Sequence, residues 1–400
     1  MNLKVAIMSL VLVSFFFTGC LGEEEEKPPS RFSWPENEST GCEVTSEVFV
    51  ECTEYVAGFT TPVKVLHHPV LDEIWIVDLS GHISSWNGQE KREIANLSES
   101  ISTCHNEQGL LGMEFTDDFP ATGMVLISYI ETGPCRTDYA ANLTLAEATV
   151  INGTIRAEDL NVLFEIEQPF RNHNGGSIQG LGANEYLWGI GDGGSSKDPL
   201  ENGQNQSNLF GSIVMFKHAN HSIEPVLYDE DGNETFVLHH GLRNPWKFDV
   251  DGSGGLWIAD VGQYCFEEIN YIENYTHASN FGWSVTEGLH QFQATDEDCD
   301  VPLYEEENSS ITLPIIEYDH TGGNCSVTGG EFVEWRNDSL NNSYVFGDFC
   351  SGLVWMTQPT ADGVEHQQVA DTNLFVVGFG QGLNDELLLL TWTGEIYALT

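Results

Sequence analysis

The feature that most constrains the fold is a short apolar strand that recurs along the chain. Each copy is rich in β-branched and aromatic residues, and it is often followed by an Asp or Gly turn and a second short strand. Successive copies are separated by roughly one propeller-blade length, with longer insertions in the later ones. The six copies lie at residues 73–86, 124–129, 186–192, 255–260, 344–348 and 386–397.

One such hairpin cannot bury both of its apolar faces alone, whereas radially stacked hairpins can. The pattern therefore predicts an all-β fold, a six-bladed β-propeller over residues 46–400. Because the last copy ends at the C-terminus, we expect residues 47–51 to complete its blade and remove a free sheet edge. The 40 glycines and the 11% aromatic content suit short strands and tight turns. A pair of β-sandwiches is the alternative architecture.

The charge balance argues against two classes of partner, nucleic acids and anionic lipid surfaces. The chain has 14 basic and 62 acidic residues, a net charge of −48. Nucleic-acid binding needs clustered Lys and Arg, and anionic lipid surfaces attract basic segments, so neither is expected as a partner. The acidic excess is interpreted as a strongly hydrated surface.

The N-terminus has the pattern of an export signal. Lys4 precedes an apolar run, residues 5–17, that is too short to span a bilayer. The run ends in Phe-Thr-Gly-Cys, which resembles a lipoprotein signal acylated at Cys20. We expect residues 1–20 to be this signal and 21–45 an acidic tether. The protein would then lie at the cell surface or in the periplasm, held to the membrane only by its lipid anchor. An ordinary secretory peptide is the alternative.

Eight cysteines remain besides Cys20. An even number in an exported chain points to disulfides, although eight cysteines allow 105 pairings. The absence of a Cys-X-X-Cys pair argues against a thiolate zinc site. Pairing of sequence neighbours is the expectation, as 42–52, 104–135, 265–299 and 325–350.

Four ordered segments carry a family resemblance, with weaker support from residues 280–283 and 344–355. Together they resemble the glucose/sorbosone dehydrogenase family of quinoprotein propellers, which is also related to Hedgehog-interacting-protein propellers. The resemblance runs from about residue 63 to the C-terminus. The four segments are Gln-Gly-Leu-Leu-Gly-Met-Glu-Phe at 108–115, Asn-His-Asn-Gly-Gly-Ser at 172–177 with Gly-Asp-Gly-Gly at 191–194, Gly-Leu-Arg-Asn-Pro-Trp at 241–246, and Ala-Asp-Val-Gly-Gln-Tyr-Cys-Phe-Glu-Glu-Ile-Asn at 259–270.

His173 is the candidate general base. It lies on a tight loop beside Asn and Gly, and an imidazole accepts a proton near neutral pH. Asp192, in a Gly-rich turn, could hold the imidazole in one tautomer. The resemblance implies that His173 takes the proton of an aldose C1 hydroxyl while hydride passes to pyrroloquinoline quinone. The alternative is a His and an Asp that only stabilise turns.

The resemblance also implies the cofactor contacts. Arg243 and Asn244 would bind the quinone, since guanidinium offers a planar fork to carboxylates. Glu107 and Gln108 occupy the region where the family's glucose oxidisers place a Gln. The sugar is the expected substrate, and the electron acceptor is not indicated by the sequence.

Gly262 and Gln263 match positions whose backbone carbonyls hold calcium in the resembling enzymes. Calcium prefers oxygen ligands, including carbonyls, and polarises a quinone oxygen as a Lewis acid. A simple Gly turn between two strands is the alternative interpretation.

One region departs from the family pattern. Where those enzymes use a Lys and an Arg pair against the cofactor, residues 349–352 and 377–381 contain neither. Each charge-assisted hydrogen bond is worth roughly 1.5–3 kcal/mol. Either other groups supply the charge, or the cofactor binds weakly, or the chain is a non-catalytic propeller that binds a carbohydrate or protein. A hydrolase is disfavoured, since neither Gly-X-Ser-X-Gly nor His-Glu-X-X-His occurs.

Overall fold

The computed structural model describes residues 41–49, 51–136, 139–229, 231–293, 299–305, 310–360 and 363–400. These residues form six antiparallel blade sheets and two two-stranded sheets. Within each blade, neighbouring strands pair in sequence order, except that Cys52–Val56 and Val44–Thr45 join the outer edges of blades six and five. Blades one to three contain Pro62–His67, Ile74–Asp78, His82–Trp86, Lys91–Asn96; Leu110–Phe115, Met124–Ile130, Asn142–Thr149, Asn161–Glu167; and Ile178–Gly182, Glu185–Ile190, Ser212–Ala219, Ser222–Pro225. Blades four to six contain Lys247–Val250, Leu256–Asp260, Phe266–Ile272, Ile316–Asp319; Val327–Val333, Ser343–Asp348, Leu353–Thr360, Gly363–Thr372; and Val376–Gln381, Leu387–Thr391, Ile396–Leu399, Cys52–Val56.

The first strands of the six blades form a closed ring. Each contacts the first strand of the next blade, and the strand of blade six contacts that of blade one. These strands therefore surround the propeller axis, and the prediction of a six-bladed propeller is confirmed.

The repeated apolar segment of the sequence contains the second strand of each blade. Ile74–Asp78, Leu256–Asp260 and Leu387–Thr391 are buried at every position. Because neighbouring blades cover both faces, these strands are apolar runs without polar alternation. Their buried Trp75 and Trp257 anchor the packing between blades.

The strand that closes the ring is formed by a different segment from the one predicted. The last blade is completed by Cys52–Val56, which pairs antiparallel with Ile396–Leu399. The prediction of residues 47–51 was wrong by a few positions, since residues 46–49 form a turn. There the Ser46 hydroxyl accepts the amides of Val48 and Phe49. The strand Val44–Thr45 pairs instead with blade five.

The remaining elements are short. Val237–His240 extends blade three by pairing with Ser212–Ala219. No helix in the described ranges is long and apolar enough to cross a membrane. The other elements are the helix Phe119–Thr122, the 3₁₀ turns Ala157–Asp159 and Thr321–Gly323, and the two-residue strands Leu227–Tyr228, Glu234–Thr235, Thr286–Glu287 and His290–Gln291.

Four disulfides fasten the loops. The pairing of sequence neighbours is confirmed, and the Cys42–Cys52 bond joins the start of the described chain to the ring-closing strand. The four bonds are Cys42–Cys52, Cys104–Cys135, Cys265–Cys299 and Cys325–Cys350.

Candidate active site

The loops with the predicted site residues meet on one face of the propeller. His173 precedes the first strand of blade three, and Asp192 follows its second strand. Arg243 precedes the first strand of blade four, and Gly262 follows its second strand. In an antiparallel pair, the start of one strand lies beside the end of its neighbour. The sheet geometry therefore gathers these side chains.

His173 and Asp192 form a buried hydrogen-bonded pair. The imidazole Nδ1 lies 2.7 Å from Asp192 Oδ1, and the side chains are 6% and 1% exposed. His173 has a φ of 54°, and the following Gly175 and Gly176 also have positive φ. This backbone turns the ring toward Asp192. Because a carboxylate accepts, Nδ1 carries the proton and the lone pair of Nε2 is available.

Trp283 fixes the carboxylate of Asp192. Its indole Nε1–H donates to Asp192 Oδ2 at 2.9 Å, while the Gly194 amide donates to Oδ1 at 2.9 Å. The three donors, counting His173, hold the carboxylate in one orientation. The sequence marks the segment 280–283, which ends in Trp283, but gives no sign of this hydrogen bond.

Glu107 supports the His173 loop, whereas the Gln108 side chain is directed elsewhere. Glu107 Oε2 accepts the His173 amide at 2.7 Å, and its carbonyl accepts Asn174 Nδ2 at 2.9 Å. Gln108 instead donates to the Ala140 carbonyl and accepts the Ser102 hydroxyl. Of the two neighbours, Glu107 is the one that contacts the loop of the candidate base.

Arg243 and Asn244 join the two loops of blades three and four. The Asn244 Oδ1 accepts the Gly175 amide at 3.0 Å, and the Arg243 carbonyl accepts the Asp192 amide at 2.7 Å. Both of their own amides donate to the two carboxylate oxygens of Asp260, each at 2.7 Å. Burial raises the pKa of Asp260 to about 7, although these amides and the Arg243 guanidinium oppose the rise. Asp260 belongs to a predicted strand, and its support of this loop was not predicted.

Two guanidinium groups near the pair have unsatisfied donors. Arg243 lies with its guanidinium carbon 5.5 Å from the Trp283 ring centroid, and its buried Nε has no partner among the described residues. The buried Nε of Arg171 is likewise without a partner in the described ranges, as is Asn174 Oδ1. Buried polar atoms are normally paired, so these groups are suited to an anionic, hydrogen-bonding ligand.

The backbone amides of Gly262 and Gln263 donate to side-chain carboxylates, whereas their backbone carbonyls accept no hydrogen bond from the described residues. The Gly262 amide donates to Glu267 Oε2 at 3.1 Å and the Gln263 amide to Glu287 Oε1 at 2.6 Å. The described residues donate no hydrogen bond to either carbonyl oxygen. Carbonyl oxygens free of such bonds fit a hard cation. A Cβ on Gly262 would lie 1.8 Å from the Phe266 carbonyl oxygen, so this turn requires glycine.

The acidic side chains beneath this loop carry less charge than the sequence indicates. Burial raises the pKa of Glu267, which lies 2.9 Å from His320 Nε2, and raises that of Glu268 well above its usual value. Gln263 Oε1 accepts the Lys197 amide at 2.6 Å, which places exposed Lys197 at the rim. The Lys197 ammonium lies 5.9 Å from the ring centroid of Tyr264, the residue after Gln263.

The turn at residues 349–352, which lacks Lys and Arg, is held by other groups. Asp348 accepts the amides of Cys325, Ser326, Cys350 and Ser351, so the turn at 349–352 is held by a carboxylate and a disulfide. Cys20 lies outside the described residues.

Comparisons with known proteins agree with this architecture. The sequence profile of glucose/sorbosone dehydrogenases matches residues 59–351. The HIPL1 protein of Arabidopsis thaliana is 28% identical over 259 residues, 56% of this chain, and the match spans only 35% of that relative. The apo soluble aldose sugar dehydrogenase of Escherichia coli superposes with a TM-score of 0.69 at 18% identity, covering 90% of this chain and 99% of that one. The PQQ-bound aldose sugar dehydrogenase of Streptomyces coelicolor gives a TM-score of 0.66 at 16% identity over 90% and 98% of the two chains. At these identities the structural likeness shows the fold.

Proposed function

Because the chain belongs to the glucose/sorbosone dehydrogenase family, we propose that it oxidises the C1 hydroxyl of an aldose, with His173 as general base and pyrroloquinoline quinone as hydride acceptor. The observation that carries this proposal is the buried 2.7 Å pair of His173 and Asp192. His173 Nε2 accepts no hydrogen bond from the described residues, so its lone pair could accept one from a substrate hydroxyl.

The proton step follows from the hydrogen bonds of the pair. His173 Nε2 takes the hydroxyl proton while its Nδ1–H donates to Asp192, so the imidazolium that forms is stabilised by the Asp192 carboxylate. Trp283 and Gly194 keep that carboxylate from rotating. When bound, the quinone supplies the two-electron acceptor for the C1 hydride.

The basic residues present support binding of the three carboxylates of the quinone. Arg171 and Arg243 each hold a buried Nε without a described partner, and Lys197 lies at the rim. A buried unsatisfied donor costs about 1–3 kcal/mol, and a ligand carboxylate would remove that cost. These groups would replace the Lys and Arg that residues 349–352 and 377–381 lack.

The carbonyls of Gly262 and Gln263 would hold calcium beside the quinone. Hard oxygen donors and the acidic surroundings of Glu287 fit Ca²⁺. The ion would act as a Lewis acid toward the quinone oxygen.

We also propose that the protein is exported and lipid-anchored. Four disulfides are typical of an oxidising compartment. Residues 1–20 would be the signal, 21–45 the acidic tether and 46–400 the propeller. The acylated Cys20 would be the sole attachment to the membrane.

The test is a titration of purified protein with pyrroloquinoline quinone, with and without calcium, followed by absorbance. Oxidation of an aldose panel with an artificial electron acceptor is then assayed. We expect a calcium-dependent spectral change and turnover, and loss of turnover in His173→Ala with the fold retained by circular dichroism. No spectral change and no turnover across the panel would refute the proposal.

A second function is favoured by the missing basic residues at 349–352 and 377–381. A non-catalytic propeller would bind a carbohydrate or protein ligand at the cell surface. In that case His173→Ala would leave ligand binding intact, and no quinone would be taken up.

A further inference from the structure

The propeller axis contains a polar cavity that the proposed reaction does not use. Its volume is about 260 Å³, and residues from the first strands of all six blades line it. Apolar walls come from Val63, Phe248 and Phe379, among others. The polar groups of interest are Lys64, Glu114, Gln179, Lys247, Asp249 and Glu331.

This cavity extends along the axis away from the loops of the candidate active site. His173 and Arg243 precede the first strands of blades three and four, whereas the cavity residues lie on those strands. At its far end the cavity reaches exposed His67 and half-buried Gln381, where the first strands of blades one and six end. The two sites are therefore reached from opposite faces.

Lys247 places an unsatisfied hydrogen-bond donor in the wall of the cavity. Its side chain is buried, and Nζ has no hydrogen-bond partner in the described part of the chain. The ammonium lies 4.5 Å from the Trp246 ring centroid, and the Trp246 indole donates to the Val377 carbonyl of blade six. Trp246 thus bridges blades four and six above Lys247. A buried ammonium without an acceptor is costly, so a hydrogen-bonding occupant is expected.

The other polar groups offer both donors and acceptors. Lys64 Nζ donates to the Ile178 carbonyl at 2.6 Å and lies 3.5 Å from Glu114 Oε2. Asp249 accepts the Phe332 amide at 2.8 Å, and the Glu331 carboxyl accepts no hydrogen bond from the described residues, although Lys64 and Lys247 lie near it. The carboxyl groups Glu114, Asp249 and Glu331 would repel an anion in this cavity. The two lysines would repel a cation.

We propose that this cavity is a binding site for a neutral polyol of the size of one monosaccharide. Hydroxyl groups donate and accept, so one ring can satisfy Lys247, Glu331 and Gln179 together. The carbon face of such a ring would pack on Phe248 and Phe379. The volume is slightly below the roughly 300 Å³ at which pockets for drug-sized ligands begin, which suits one ring.

The protonation of the lining supports a neutral ligand. Burial lowers the pKa of Lys247 to about 7, with a smaller effect of nearby Lys64. Burial raises the pKa of Asp249 to about 6 and that of Glu331 well above its usual value. Near pH 7 the lining therefore carries less charge than its composition implies.

The experiment uses the full protein without quinone, so that it is independent of the proposed oxidation. Binding of glucose, xylose and myo-inositol is measured by isothermal titration and saturation-transfer NMR, with gluconate and glucosamine as charged comparisons. We expect one site per chain for at least one neutral probe, with affinity reduced at least about tenfold (about 1.4 kcal/mol) in Lys247→Met and in Glu331→Gln.

Two controls separate this site from the face of His173. His173→Ala and Lys217→Met, a change on the third strand of blade three and away from the axis, should bind the probe as the unmodified protein does. Gln179→Leu repeats the test if either cavity variant fails to fold. The proposal is overturned if no neutral probe binds, if a charged probe binds in preference, or if His173→Ala abolishes binding.

Discussion

Replacing the buried Lys247 by Met should stabilise the protein, and by an amount that depends on pH. The folded state lowers the pKa of this lysine from 10.5 to about 7, mainly through burial. Each pKa unit is worth about 1.4 kcal/mol, so burying the ammonium costs about 5 kcal/mol below pH 7. Between pH 7 and 10.5 the unfolded chain binds more protons at this site than the folded protein, so the cost falls as pH rises.

The free-energy cost of burying the Lys247 ammonium differs between pH 7 and pH 9. The same two pKa values give a cost of about 4 kcal/mol at pH 7 and about 2 kcal/mol at pH 9. Met has a similar shape and no charge, so Lys247→Met should exceed the unmodified protein in free energy of unfolding by up to these amounts.

The assay is urea unfolding of both proteins at pH 7, 8 and 9, without added sugar and followed by two probes whose transitions coincide. The half-buried change Lys217→Met is the control, and its free energy of unfolding relative to the unmodified protein should not vary with pH in the way predicted for Lys247→Met. A stability difference that stays constant with pH, or a destabilised Lys247→Met, would refute the assignment of Lys247 as a buried, unpaired ammonium.

Three further changes test the contact to Asp192, the proposed calcium loop and the Cys42–Cys52 disulfide. Trp283→Phe removes the 2.9 Å indole donor to Asp192 and should lower turnover of the quinone-loaded protein roughly 5- to 150-fold, from a loss of about 1–3 kcal/mol; unchanged turnover would contradict its positioning role. Gly262→Ala would place a Cβ 1.8 Å from a carbonyl oxygen and should abolish calcium binding measured by titration, whereas Gly180→Ala, with nothing nearer than 3.6 Å, should not. Serine at both Cys42 and Cys52 should lower the free energy of unfolding by roughly 3 kcal/mol in urea titrations, for a loop with a sequence separation of 10, and equal stability would argue against this role of the bond.

Local chemistry in the sequence was enough to predict the blade pattern and part of the site. The second strands are buried on both faces, so they are apolar runs that a single sequence displays. His173 and Asp192 lie in short glycine-rich segments, and the backbone turns that glycine permits bring them to 2.7 Å. The disulfides also join neighbouring cysteines, so their pairing follows chain order.

The parts that were missed depend on contacts between distant segments. Trp283 reaches Asp192 from 91 positions away, and nothing local to either residue specifies that hydrogen bond. Lys247 is a charged residue at the start of a strand, and only the meeting of six strands at the axis makes it buried. The ring-closing strand was misplaced because the hydroxyl of Ser46 holds a turn that apolar alternation does not display.

The pairing of Cys52–Val56 with Ile396–Leu399 also determines when the propeller can finish folding. The sixth blade lacks its outer strand until Ile396–Leu399 pairs with Cys52–Val56. Five blades can form progressively, but closure must wait for a contact that spans almost the whole domain and carries the corresponding loop-entropy cost. Until then the edge of Ile396–Leu399 remains open to pairing with another chain, so protection from aggregation is most needed before this closure.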